Sequence, residues 1–173
     1  DARVALNAKR NLRLIQAPDP SDFDMDLRMI DGGFLVQKRD QGVTDTSTWV
    51  SKTRLPTDDE RRDLELAWIV CAHTKSNAIV IVNDGAAVGV GAGDQSRVGA
   101  AERALVKAGD RAKGAVCASD AFFPFRDGPD VLADAGVRAI VEPGGSVRDD
   151  EVIMSAKEHD VALVFTGRRH FRH

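Results

Sequence analysis

From residue 57 onward the sequence predicts a layered α/β domain with a mostly parallel sheet covered by helices on both faces. Three observations predict it. Short apolar runs alternate with segments of helical spacing. The runs are nearly continuous in Val, Ile, Leu and Ala, as in Ala78–Val82, which suits strands buried on both faces. Glycine-bearing turns separate the segments, and one of them, Asn83-Asp84-Gly85, is of the hairpin type, so an antiparallel pair is expected there.

The elements follow in order. Leu12–Ile15 is a short strand candidate, and the prolines Pro18 and Pro20 mark a loop after it. Met25–Ile30 and Phe34–Val36 are apolar runs split by the turn signal Asp31-Gly32-Gly33. Residues 39–56 have no clean period and read as a connector, so a boundary is expected near residue 56. Thr57-Asp58-Asp59-Glu60 fits a capping box, with Leu64, Ala67, Trp68 and Cys71 following at helical spacing, so a helix runs from Thr57 to about His73. Ala78–Val82 and Ala87–Val90 are strands. Gln95–Ala108 is a helix ending at Gly109. Ala115–Ala118 is a strand, Asp127–Ala135 a helix closed by Gly136, and Val137–Val141 a strand. Ser146 is placed to cap the helix Asp149–Glu158, and Val161–Phe165 is the last strand. Thr166–His173 is a basic tail, for which a solvated and a docked state are both open.

The 173 residues suffice for one domain with a core or for part of a larger one. A formal net charge of -3 offers no broad attraction for nucleic acid or anionic membrane. No apolar run reaches the ~18 residues of a membrane span, and nothing resembles a signal peptide, so a reducing, cytoplasmic setting is expected. Cys71 and Cys117 lie far apart among apolar neighbours and read as buried thiols, with no Cys/His spacing for zinc. The chain opens at Asp1 with no initiator Met, as expected of a processed, truncated or partial chain.

Several clusters suit ligand chemistry. Gly89-Val90-Gly91-Ala92-Gly93 stands between a strand and a helix, where an anion can approach backbone N–H groups. Its spacing, GxGxG, departs from the GxGxxG dinucleotide fingerprint, so a tight strand–helix turn is the competing explanation. Arg97, in the first turn of the following helix, opposes the helix dipole, and a guanidinium there suits a phosphate or carboxylate; a plain surface arginine is the alternative. Ser119-Asp120-Ala121-Phe122-Phe123-Pro124-Phe125 sets three phenylalanines in one loop, either a wall for a planar ligand or core packing. Asn77, just before a buried strand, can orient a carbonyl or amide, or simply close a turn. Pro143-Gly144-Gly145-Ser146 repeats the arrangement of strand end, small-residue loop and helix start that ligands favour in open α/β sheets.

Together and in this order, Lys9–Arg13, Gly32–Gln37, Lys75–Ile79, Gly89–Val98, Ala118–Asp127, Pro143–Asp149 and the closing Thr166–His173 resemble one family, AICAR transformylase. That activity usually forms the C-terminal part of a bifunctional purine-synthesis protein that also carries IMP cyclohydrolase. The resemblance runs over essentially the whole chain. It implies a cytidine-deaminase-like α/β unit, occurring twice in the transformylase region and lacking the catalytic zinc of deaminases. Residues 1–56 would then close the first unit, and residues 57–173 would form the second.

The implied reaction transfers the formyl group of 10-formyltetrahydrofolate to the 5-amino group of AICAR, at a site formed across a homodimer interface. By position, Asn77 resembles the family's asparagine near the reacting groups, and is the implied catalytic residue of this segment. Arg97 resembles an AICAR-binding arginine, Phe122 the aromatic against the substrate ring, and Arg169 a substrate arginine engaging phosphate. Val98, Ser146 and Val147 resemble positions lining the folate pocket. Asp94 stands where the family commonly has glutamine, which bears on the folate-side loop. The family's Lys-His catalytic motif, expected upstream, is absent: no Lys-His dipeptide occurs in the 173 residues. A general base is typically worth ~10²–10⁴ in rate, so the segment alone is expected to be inactive or nearly so. Two other readings remain at this point: a non-catalytic nucleotide- or folate-binding or dimer-assembly module, and, more weakly, a dinucleotide enzyme built on the glycine loop.

Overall fold

The computed structural model describes Leu6 and residues 11–15, 25–40 and 45–172. The chain divides into two compact units, Asp1–Gln41 and Gly42–His173.

The first unit contains a hairpin, β1 (Met25–Ile30) and β2 (Gly33–Lys38), around a turn in which Gly32 takes a φ of 81°. The register pairs Leu27 with Val36 and Met29 with Phe34. Period-2 alternation therefore gathers Met25, Leu27, Met29, Phe34 and Val36 on one face, all exposed. Leu12–Ile15, expected as a strand, joins no ladder among the described residues, and its Ile15 is 91% exposed. A four-residue run without a partner strand among the described residues has nothing there to satisfy its backbone in sheet form.

The second unit begins upstream of the pattern change near residue 56, because the connector is already tied to the sheet. Val50–Ser51 forms a short edge strand, β3. Next, α1 (Asp58–Ala72) starts with the expected capping box: Thr57 Oγ1 accepts the Glu60 N–H at 3.2 Å, and Glu60 Oε2 accepts the Thr57 N–H at 2.8 Å. Arg54 grips the same carboxylate with two N–H donors at 2.8 and 2.7 Å, which holds Glu60 below the usual carboxylate range.

Six strands form one sheet in the order β3-β8-β7-β6-β4-β5. The remaining elements are β4 (Ile79–Asn83), β5 (Ala86–Gly91), α2 (Arg97–Ala108), β6 (Val116–Ser119), α3 (Asp127–Asp134), β7 (Ala139–Glu142), α4 (Asp149–Glu158) and β8 (Ala162–Phe165). The sheet is mixed rather than mostly parallel. β6–β7 and β7–β8 are parallel, whereas β3–β8, β4–β5 and β4–β6 are antiparallel. The reason lies in the turn after Asn83. Asp84 and Gly85 both take positive φ, 52° and 72°, and reverse the chain at once. The β5–α2–β6 crossover then passes over β4, so β4 runs against both of its neighbours.

Side chains of the central strands alternate between two clusters. Val80, Val82, Val116, Ala118, Val141 and Val164 pack with Leu64, Ala67, Trp68 and Cys71 of α1. Ile79, Ile81, Cys117, Ile140 and Leu163 pack with apolar residues of α2, α3 and α4. Gly89 and Gly91 lie inside β5, where any Cβ would strike the carbonyls of Ala104 and Ala100 in α2. These two glycines serve close strand–helix packing rather than forming a loop. Both cysteines are fully buried, and burial pushes both thiols up, so neither is a ready nucleophile.

Candidate functional site

At one end of the sheet, the segments before β4, after β5 and after β6 meet the tail. Asn77 Nδ2 donates to the Asp94 carbonyl at 2.9 Å, which fixes the amide so that its Oδ1 faces Arg97. Arg97 follows the N-cap Ser96, whose Oγ accepts the Gly99 N–H at 3.0 Å. Its Nη2 donates to Asn77 Oδ1 at 2.9 Å, while Nη1 donates to Ser119 Oγ at 2.8 Å and Asp120 Oδ1 at 2.5 Å. The side chains of this ion pair are 8% and 0% exposed. The arginine thus has a local stability role that its place in the helix hides: it neutralises Asp120, which also accepts the Ala78 N–H at 3.1 Å. Of the five guanidinium N–H donors, three serve these acceptors.

The tail is docked. His170 is 1% exposed, its ring centroid 4.7 Å from that of Trp68, and its backbone N–H donates to the Asp120 main-chain carbonyl at 2.8 Å. Arg172 N–H donates to Ser76 Oγ at 3.0 Å, and Ser76 N–H to the Arg172 carbonyl at 2.9 Å. Before Arg169, the Thr166 and Gly167 N–H groups donate to the Glu142 and Pro143 carbonyls at 2.9 and 3.0 Å, so anchors on both sides bring Arg169 to a cavity of about 480 Å³. Asn77, Arg97, Val98 and Phe122 line the same cavity, with Phe125 and Asp127 beside them. The structure therefore brings together five of the seven residues singled out from the sequence.

Ser146 and Val147 do not line it. Val147 is fully exposed, and Ser146 does not cap α4: its N–H donates to Asp149 Oδ1 at 2.9 Å, and its Oγ accepts the Arg148 N–H at 3.1 Å. The N-cap position belongs to Arg148, because Asp149 folds back onto the Gly145 and Ser146 amides. Arg148 links this loop to the cavity rim, its guanidinium carbon 4.9 Å from the Phe125 ring centre. Asp94, in the place of the family's glutamine, receives Arg103 at 2.8 Å on the outer side of the glycine turn.

Two buried acids stand outside the residues expected to bind substrate or folate. Asp120 ends the apolar run of β6, and Glu142 ends that of β7; each is 0% exposed. Glu142 Oε2 accepts the Phe123 N–H at 2.7 Å, and burial first of all pushes its carboxyl up to about 8. An acid at or just past the end of a buried strand is the sequence signal for both. Among the described residues, no group of three His, Cys, Asp or Glu is arranged to hold a metal, and no helix is long and apolar enough to cross a membrane.

Comparison with known proteins gives a match to the AICARFT/IMPCHase bienzyme family over residues 1–107. The bifunctional purine biosynthesis protein PurH of Desulfitobacterium hafniense (strain DSM 10664 / DCB-2) is 51% identical over 177 residues, covering 100% of this chain and 34% of that protein. PurH of Cereibacter sphaeroides (strain ATCC 17029 / ATH 2.4.9) is 50% identical over 187 residues, covering 100% of this chain and 35% of that protein. The chain thus spans about a third of the length of these relatives. Among solved structures, Acinetobacter baumannii RibD, form 1, aligns with 62% of this chain and 34% of its own at a TM-score of 0.45 and 19% identity.

Proposed function

This chain belongs to the AICARFT/IMPCHase bienzyme family, and from that premise we propose that it supplies the AICAR-binding side of a formyltransferase site in purine (IMP) biosynthesis. The reaction carries the formyl group of 10-formyltetrahydrofolate to the 5-amino group of AICAR, giving FAICAR. The observation that carries this reading is the meeting of Asn77, Arg97, Phe122 and Arg169 around one cavity of about 480 Å³.

Each has a chemical task in the proposal. Arg169 pairs with the phosphate, as a planar fork of donors suits a tetrahedral oxyanion. Phe122 stacks on the imidazole carboxamide ring. Arg97 donates an N–H that no described residue uses, and Asn77, held by Asp94 and Arg97, orients the groups around the attacking amine. The folate enters beside Val98, with Ser146 and Val147 at the outer edge of its pocket. Proton removal from the amine falls to a Lys-His pair carried on another stretch of the protein, so this segment alone is expected to be inactive. The fold from Gly42 onward is proposed to be the second of two cytidine-deaminase-like units, with the residues before it closing the first. The working enzyme is proposed to be a cytoplasmic homodimer that binds neither nucleic acid nor membrane.

Titration of AICAR by calorimetry, with the Lys-His segment supplied, tests the reading. Saturable binding that weakens about 10–100-fold in Arg169→Ala is expected, the loss of one charge-assisted bidentate contact. Absence of AICAR binding, or binding indifferent to Arg169, overturns it.

A further inference from the structure

Phe123 is the fixed point of the Ala121–Phe125 loop. Its ring is fully buried and lies against Gly128 of α3, where even one added carbon would collide with it. Its neighbours Ala121, Phe122, Pro124 and Phe125 all line the cavity. Its N–H donates to Glu142 Oε2 at 2.7 Å. The other oxygen, Oε1, is buried and has no hydrogen-bond partner among the described residues. Arg97, a cation whose charge is felt at Glu142, is already bound to Asn77, Ser119 and Asp120.

We propose that Glu142 is a positioning residue for the cavity: with its proton on, it holds the Ala121–Phe125 wall closed, and with its proton off, it releases that wall. A neutral carboxyl suits a dry position and keeps one oxygen to accept the Phe123 N–H. An ionised one leaves a charged oxygen with no partner, and water entry or a shift of the loop relieves it. Asp149 of α4 raises the cost of that charge and Arg97 of α2 lowers it. On β6 the titratable neighbour is the buried Cys117, whose thiol Glu142 pushes further up. No residue of β8 is titratable. The release falls in mildly alkaline solution, where the carboxyl loses its proton at about 8. The consequence for ligand rests on the proposed AICAR site, since Phe122 is the wall against its ring.

The test is fluorine NMR of the full chain labelled with 4-fluorophenylalanine, the Phe123 resonance being assigned by Phe123→Leu. It should shift with a midpoint near pH 8 in the wild type and stay still in Glu142→Gln, which keeps an acceptor for the N–H but cannot ionise. The AICAR titration, repeated at pH 7 and 9, should weaken about tenfold in the wild type and hardly change in Glu142→Gln. A Phe123 resonance that does not titrate, or that titrates equally in Glu142→Gln, overturns the proposal. So does a wild-type AICAR affinity that ignores pH while the resonance moves. If AICAR binds at no pH but the Phe123 titration is present and vanishes in Glu142→Gln, the wall switch stands and the AICAR reading fails.

Discussion

The ends of β6 and β7 hold the same kind of group in opposite circumstances. Asp120 and Glu142 are equally buried acids just past or at the close of adjacent parallel strands. Asp120 is compensated in charge: a guanidinium and a backbone amide both bind its Oδ1, and the docked tail bonds its main-chain carbonyl, while its Oδ2, like Glu142 Oε1, has no hydrogen-bond partner among the described residues. Glu142 has one amide and, among the described residues, no cation paired with it. In low dielectric, the first arrangement makes a rigid corner and the second a titratable one, because an unpaired buried charge costs several kcal/mol while a proton removes it. The site is therefore built with one fixed wall and one adjustable wall.

Breaking the compensated corner should have the largest effect. Arg97→Leu strands Asp120 as an unpaired buried acid, and a loss of about 3–5 kcal/mol is expected in urea unfolding at pH 7. A loss below about 1 kcal/mol would mean that Asp120 is not held by Arg97, and the contrast between the two strand ends would collapse.

The adjustable corner is read through pH. In an unfolded chain Glu142 ionises near 4.5, and in the folded chain at about 8. Between these values the folded form keeps a proton that the unfolded form has released. Stability from this residue is thus full below about pH 4.5 and is lost as pH rises toward 8. The expected loss between pH 5 and 8 is about 2–4 kcal/mol, absent in Glu142→Gln. Parallel slopes for the two proteins across pH 5–8 would show that Glu142 is not buried as a neutral acid.

These two corners also mark how far the sequence could be read. The α1 capping box was legible because it lies within four residues, as was the turn at Asn83-Asp84-Gly85. The direction of β4 relative to β6 was not, because it depends on which side of β4 the crossover through α2 lands, and nothing local encodes that. Asn77, Arg97, Val98, Phe122 and Arg169 could be named from motifs and do share one cavity. The partners of Arg97 could not be named, being separated from it by 20 to 23 residues and joined only by the sheet. Likewise, a basic tail gave no sign that Trp68 would receive His170.

That contact gives the next test. His170→Ala removes a ring packed on Trp68 and loosens the tail from the compensated corner. About 1–2 kcal/mol of stability should go, with a change in tryptophan emission, and AICAR binding should weaken through Arg169 without any change at Glu142. If the pH slope of stability flattened as well, the two corners would be one coupled unit rather than two.

The smallest effect concerns the contact that joins the loops following the two strands. Arg148, after β7, lies over Phe125, after β6, with its side chain 48% exposed. An exposed cation–π contact is worth about 0.5–1 kcal/mol. Arg148 also reaches Glu151 at 3.2 Å on the surface, an ion pair of little weight. Arg148→Ala should therefore leave stability within about 1 kcal/mol. If this contact braces the adjustable wall, the variant should move the Phe125 fluorine resonance already at pH 7, where the wild-type wall is still closed. An unmoved resonance would assign the hold on that wall to the Phe123–Glu142 hydrogen bond alone.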